Sequence, residues 1–160
     1  AASLRLPGGA VVAAVVAVNA YGGVYDYKTG LLMAGPRLAD HGGFEDPMDI
    51  LLQDSGDQET PSMTNTTIGL VATDAGLSKV EVNHLAGLSH DGLALTIRPC
   101  HTLRDGDTMF AMATGRGLAT SDLTALGAAS VEVTARAVLR AGETATGLGG
   151  VPSISEIAHG

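Results

Sequence analysis

Three short apolar stretches constrain this chain more than any other feature. Ala10 to Asn19 is built almost wholly of Val and Ala, Thr66 to Thr73 reads Thr-Thr-Ile-Gly-Leu-Val-Ala-Thr, and Asp107 to Thr114 is a third run of the same kind. Branching at Cβ fixes χ1, which suits a pleated strand better than a helix, so the first two stretches predict strands, and the third resembles another buried strand. Leu4 to Leu6 adds another, joined to the first long run through the turn formers Pro7-Gly8-Gly9. The unbroken apolarity from Ala10 to Val18 further predicts a strand buried on both faces. That run is also the longest apolar one, well short of the roughly 20 residues a membrane-spanning helix needs.

Two other stretches carry a helical period. Ser78 with Glu81 has the spacing of a capping box, and Val82, Leu85, Ala86, Ser89 and Leu93 then fall on one face of a helix that must stop before Pro99. Ser121 opens a second amphipathic helix predicted to reach about Ala141, with Gly142 ending it. Between the strands, Tyr21 to Thr64 is broken by glycines and prolines. It gathers Glu45, Asp46, Asp49, Asp54, Asp57 and Glu59 and reads as a long surface loop. The Gly-rich tail after Thr146 reads as loose. Strands in the middle and helices later predict an α/β layered fold with helices packed outside. No internal repeat is present.

A chain of 160 residues can bury one real core, so residues 1–160 are predicted to form a single domain. Aromatics make up only 3% against 22 glycines, which predicts closely packed layers of small side chains. A formal charge of -8 with no basic cluster repels phosphate backbones and argues against nucleic acid as a partner. The single cysteine, Cys100, follows Pro99 in apolar surroundings and reads as an inert buried thiol in a reducing compartment. With no signal peptide or membrane span in the sequence, a soluble, cytoplasmic protein is expected. The chain opens Ala1-Ala2-Ser3 without an initiator Met, which suggests a segment of a longer gene product. His84, His90 and His101 lack a metal-ligand spacing and are assigned no catalytic role. Gly115-Arg116-Gly117 lacks the context for phosphate binding, and neither metal nor cofactor is expected.

The chemistry is suggested by position. An acidic loop ends in Met63-Thr64-Asn65, and a buried strand headed by a hydroxyl residue follows at once. A Thr66 hydroxyl could attack the preceding carbonyl, pass through an ester and, after hydrolysis, leave a free α-amine beside itself. With a reference pKa of about 7.7 to 8.0, that amine can serve as the local base near neutral pH. Asp105 and Asp107, two residues apart at the head of a strand, could share a proton or orient the amine and hydroxyl. Asn19, at the end of an apolar strand, could donate to a developing oxyanion. The plain alternative at each position is an ordinary strand or turn residue.

Three blocks read together resemble a known family. They are Asn65-Thr66-Thr67-Ile68-Gly69-Leu70-Val71-Ala72-Thr73-Asp74-Ala75, His90-Asp91-Gly92-Leu93-Ala94 and Asp105-Gly106-Asp107-Thr108-Met109-Phe110-Ala111. In order and spacing they are similar to the C-terminal half of the L-aminopeptidase/D-esterase, or β-aminopeptidase, precursors. The resemblance implies an αββα sandwich of the N-terminal-nucleophile type. It also implies cleavage between Asn65 and Thr66, so that 1–65 would end an α subunit and 66–160 would form the β subunit. Thr66 is then the implied nucleophile, Asn19 the oxyanion support, and Asp105 and Asp107 the acidic pair. An upstream Lys, the N-terminal part of the same precursor as partner, and a ring-like homotetramer are implied as well. Thr where other members use Ser fits the branch that hydrolyses 6-aminohexanoate (nylon) oligomers. A β-aminopeptidase acting on small peptides is the next reading, and a non-catalytic scaffold a third.

Overall fold

A computed structural model describes residues 1–38, 43–53, 65–117 and 122–157. The first two strands, β1 (Ala2–Arg5) and β2 (Val11–Ala17), form the predicted antiparallel hairpin. Gly9, at φ 96, supplies the left-handed residue of its turn. Strand β5 (Ile68–Thr73) lies antiparallel to β2, and β7 (Thr108–Ala113) lies parallel to β5, giving one sheet in the order β1-β2-β5-β7. A parallel pair needs a crossover, and α2 (Lys79–Thr96) supplies it. Its capping box is complete: the Ser78 hydroxyl accepts from the Glu81 amide, and the Glu81 carboxylate takes the Ser78 amide at 2.7 Å.

Helix α2 packs with α3 (Leu123–Thr144) on one face of this sheet. Leu85, Leu93, Leu126, Val12 and Val71, all 1% exposed or less, form the core between layers. Each such aliphatic side chain contributes about 1.5–3 kcal/mol of burial. Small residues bring the layers together as the composition predicts. A Cβ added at Gly92 of α2 would lie 2.6 Å from both Thr134 Cβ and the Val131 carbonyl of α3, and one at Gly69 would lie 2.6 Å from Met109 Sδ.

Four expectations are corrected. The stretch from Tyr21 is not all loop: β3 (Gly23–Tyr25), β4 (Leu32–Ala34) and β6 (Ile97–Arg98) make a second sheet in the order β4-β3-β6, and α1 (Pro47–Gln53) follows. Buried Tyr25 ties it down, donating its hydroxyl to Asp46 at 2.9 Å. Asp54, Asp57, Glu59, Met63 and Thr64 lie outside the described residues. Helix α3 is capped by Asp122 and runs through Gly142 to Thr144; the expected start at Ser121 also lies outside the described residues. Gly142 is small because a Cβ there would come within 2.9 Å of Ile154, not because the helix stops. That contact belongs to an ordered tail, in which Leu148 bridges Val151 and Ser153 precedes α4 (Ile154–Ile157). Finally, β2 is buried on one face only. Val12 and Ala14 point into the core, whereas Val15 stands 53% exposed beside exposed Ile68, Phe110 and Met112 on the far side of the sheet. No helix among the described residues is long and apolar enough to cross a membrane.

Candidate active site

Because β5 runs antiparallel to β2 and parallel to β7, the end of β2 and the heads of β5 and β7 meet at one edge of the sheet. The register continues past the strands, where Asn65 bridges Asp105 in parallel. Asn19, Asn65-Thr66-Thr67 and Asp105-Gly106-Asp107 are thereby brought together although they are far apart in sequence. The Thr66 amide donates to the Asn19 carbonyl at 2.8 Å. The structure thus joins Asn19 to the nucleophile candidate through its backbone oxygen, a contact the side-chain reading did not anticipate.

The Asn65 carbonyl is gripped from two sides. The Thr66 hydroxyl donates to it at 2.7 Å, and the Gly106 amide donates to it at 2.9 Å. The Gly106 amide withdraws electron density from the carbonyl and would strengthen its bond to an oxyanion formed there, while the hydroxyl stands beside the carbonyl it would attack. A side chain at 106 would displace the hydroxyl, since a Cβ would stand 2.8 Å from Thr66 Oγ1. The Asn65 side chain donates to the Ala20 carbonyl at 3.3 Å, anchoring the residue before the bond.

The two aspartates flank this junction with separate donors rather than a shared proton site. Asp105 accepts from the Tyr21 amide at 3.1 Å, the Thr102 amide at 3.2 Å and the Thr102 hydroxyl at 2.7 Å. Arg104 lies 5.3 Å over the Tyr21 ring and also donates to its hydroxyl. Asp107, its side chain only 2% exposed, accepts from the Thr67 amide at 2.8 Å through one oxygen. Its other oxygen takes both the amide and the Nδ1 of His101, each at 3.3 Å. The pair therefore grips the backbone on either side of Thr66: Asp105 through Tyr21, and Asp107 through Thr67.

Sequence reasoning passed over His101 and placed His90 on the surface. The structure sets His101 on Asp107 and His90 edge-on to it, ring centroids 4.8 Å apart, where burial and then the neighbouring imidazole lower the His90 pKa. Histidine-to-aspartate pairing across a loop leaves no spacing rule to read. The one local signal was Thr102-x-x-Asp105, a side-chain-to-backbone turn that shapes the loop they share. Cys100 fits the inert reading, since burial first and the two aspartates next push its thiol up to about 11. Thr67, by contrast with Thr66, is fully buried, and its hydroxyl has no partner among the described residues. Those residues include no group of three His, Cys, Asp or Glu side chains placed to hold a metal ion.

Comparison with known proteins shows what the chain is similar to. The chain is 42% identical over 95% of its length to an uncharacterized aminopeptidase of Mycobacterium leprae, of which it covers 46%. It is 34% identical over 89% of its length to the 6-aminohexanoate-oligomer endohydrolase of Paenarthrobacter ureafaciens, of which it covers 43%. The chain thus spans about half the length of the curated relatives it matches. The L-aminopeptidase D-Ala-esterase/amidase of Ochrobactrum anthropi, described as a variant of the Ntn hydrolase fold, superposes with a TM-score of 0.56. That alignment is 20% identical and covers 94% of this chain and 40% of the other, which establishes the α/β layered fold as of that N-terminal-nucleophile type. The model of peptidase family S58 matches residues 1–153, and this chain belongs to that family.

Proposed function

We propose that this chain carries the nucleophile of a self-processing amide hydrolase, cut between Asn65 and Thr66. The observation that carries the reading is the Asn65 carbonyl held between the Thr66 hydroxyl and the Gly106 amide. Attack by Oγ1 on that carbon forms an ester as the C–N bond breaks, and the hydroxyl proton passes to the departing nitrogen. Water then cleaves the ester, leaving Asn65 as a carboxylate and Thr66 with a free α-amine. On a substrate the same hydroxyl attacks, the amine takes its proton and returns it to the leaving amine, and water releases the acyl group. Gly106 would serve the oxyanion in both reactions, with Asn19 beside it, while Asp105 and Asp107 hold the strand heads in place.

The exposed apolar face of the sheet supports a second layer supplied by the rest of the protein, which completes the αββα sandwich and brings the expected upstream Lys. Residues 1–65 would then close the α subunit and 66–160 form the β subunit, in a ring-like homotetramer. The substrate reading is a linear 6-aminohexanoate oligomer, supported by the threonine at position 66 and by the oligomer-endohydrolase relatives. A second reading, cleavage of small or β-amino peptides, is favoured by the higher identity to the mycobacterial aminopeptidase. N-terminal sequencing of the purified full-length gene product should return Thr-Thr-Ile-Gly, and Thr66→Ala should stop both cleavage and turnover, with a loss of about 10³-fold or more. A Thr66→Ala protein that still cuts at this bond sinks the proposal. Parallel assays on aminohexanoate oligomers and on β-alanyl and L-alanyl amides separate the two substrate readings.

A further inference from the structure

His101 is the only non-glycine among the described residues with a positive φ, at 57. A side chain in that region is strained and persists where its surroundings over-determine it, most often at a working site. The strained backbone here does one visible thing: it turns both the amide and the Nδ1 of one residue onto the same Asp107 oxygen, each at 3.3 Å. The other Asp107 oxygen holds the Thr67 amide at 2.8 Å, one peptide unit from the nucleophile candidate. A carboxylate that is 98% buried cannot draw compensation from solvent, so its orientation is set by these donors.

We infer that His101 is a positioning residue of the hydrolytic site, acting through Asp107 on the peptide unit that orients the Thr66 hydroxyl and, after cutting, its amine. The inference rests on the reading of Thr66 as nucleophile. Without the Nδ1–H, Asp107 keeps on that side only a long bond from the His101 amide and is free to swivel. The Thr67 amide then moves with it, and Thr66 loses its aim. His90, edge-on to the ring on its other side, confines the imidazole to the face that meets Asp107. The effect belongs to the reacting step and not to substrate affinity, because His101 acts through groups withdrawn from solvent: the Asp107 side chain is 2% exposed and Thr67 is buried, whereas Thr66 is exposed.

The φ of 57 gives the test its design, since glycine and asparagine both tolerate that conformation. In the full-length gene product, His101→Gly relieves the strain and removes the ring, whereas His101→Asn keeps the conformation and places an N–H donor where Nδ1 stands. His101→Gly should slow self-cleavage and lower kcat about tenfold with KM within about twofold, while His101→Asn stays within about threefold of wild type. A wild-type kcat in His101→Gly, or His101→Asn as slow as His101→Gly, overturns the inference, because the ring would then only fill space. If His101→Gly yields no folded protein, His101→Asn decides alone, and a kcat more than about tenfold down in it overturns the inference. Thr66→Ala, run alongside, separates the two claims: residual cleavage there condemns the nucleophile reading whatever His101 does.

Discussion

The two faces of the four-stranded sheet are built from the same kinds of residue and meet different surroundings. On one face Val12, Val71 and Met109 are buried beneath α2 and α3; on the other Val15, Ile68, Phe110 and Met112 are each 45–53% exposed. The difference extends to two adjacent threonines. Thr67 is sealed beneath the helices at 0% exposed, while Thr66 stands on the open side with its hydroxyl on the Asn65 carbonyl. One face is spent on folding this segment. The other presents the hydroxyl proposed as nucleophile and an apolar surface of a kind soluble proteins rarely leave uncovered.

The largest effect is expected where the comparison is most exposed to failure. If a second layer from the same gene product covers the open face, Phe110→Ala removes a ring buried in the intact protein and should cost about 3–5 kcal/mol of unfolding free energy. If the face is bare in the intact protein, the cost should stay within about 0.5 kcal/mol, as for an ordinary surface change. Denaturant unfolding of the full-length protein reads the difference directly, and the small value would remove the sandwich completion from the proposal.

Much of this contrast was legible in the sequence, and what was missed has a common cause. Short apolar runs, β-branched in β2 and β5, located β2, β5 and β7 to within a few residues, and the Ser78-Glu81 pair marked the start of α2. Those signals are local, carried by neighbours along one element. The unbroken apolarity of Ala10 to Val18 predicted two covered faces and this segment covers one, because an apolar run records which side chains a strand carries and not what packs against them. The small sheet around Tyr25 was invisible because β3 pairs with β6, more than seventy residues away, through strands of three and two residues. At the site, Thr66, Asp105 and Asp107 followed from the loop-to-strand junction and the family resemblance. The Gly106 amide and His101 did not, because a backbone donor and a cross-loop pair acquire meaning only once the parallel register is known.

Next in size is the substitution that crowds the open face beside the proposed nucleophile. Gly106 carries no positive φ, so Gly106→Ala leaves the backbone unstrained, yet its new Cβ would stand 2.8 Å from Thr66 Oγ1. The hydroxyl must move off the Asn65 carbonyl while the Gly106 amide stays in place. Self-cleavage and kcat should fall about 10²-fold, the scale of a misplacement near one ångström, with little change in melting temperature. An uncut but normally stable protein is the expected result; full activity would mean that the hydroxyl does not react from the rotamer seen here.

The smallest effect tests the covered face, and its sign is the informative part. Thr67 keeps its amide on Asp107 and its carbonyl on the Thr108 amide, so the backbone of the position is fully used. Its hydroxyl is buried without a partner, which costs free energy that a methyl group of nearly the same shape would not. Thr67→Val should therefore raise stability by about 1 kcal/mol and leave processing and turnover near wild type. The neighbouring threonine, changed in the same way, should lose all activity. The two substitutions are one residue apart, remove the same atom and act on opposite faces of one strand. If Thr67→Val also stopped cleavage, the buried hydroxyl would have to reach the reacting carbonyl, and the division of labour between the faces would be wrong.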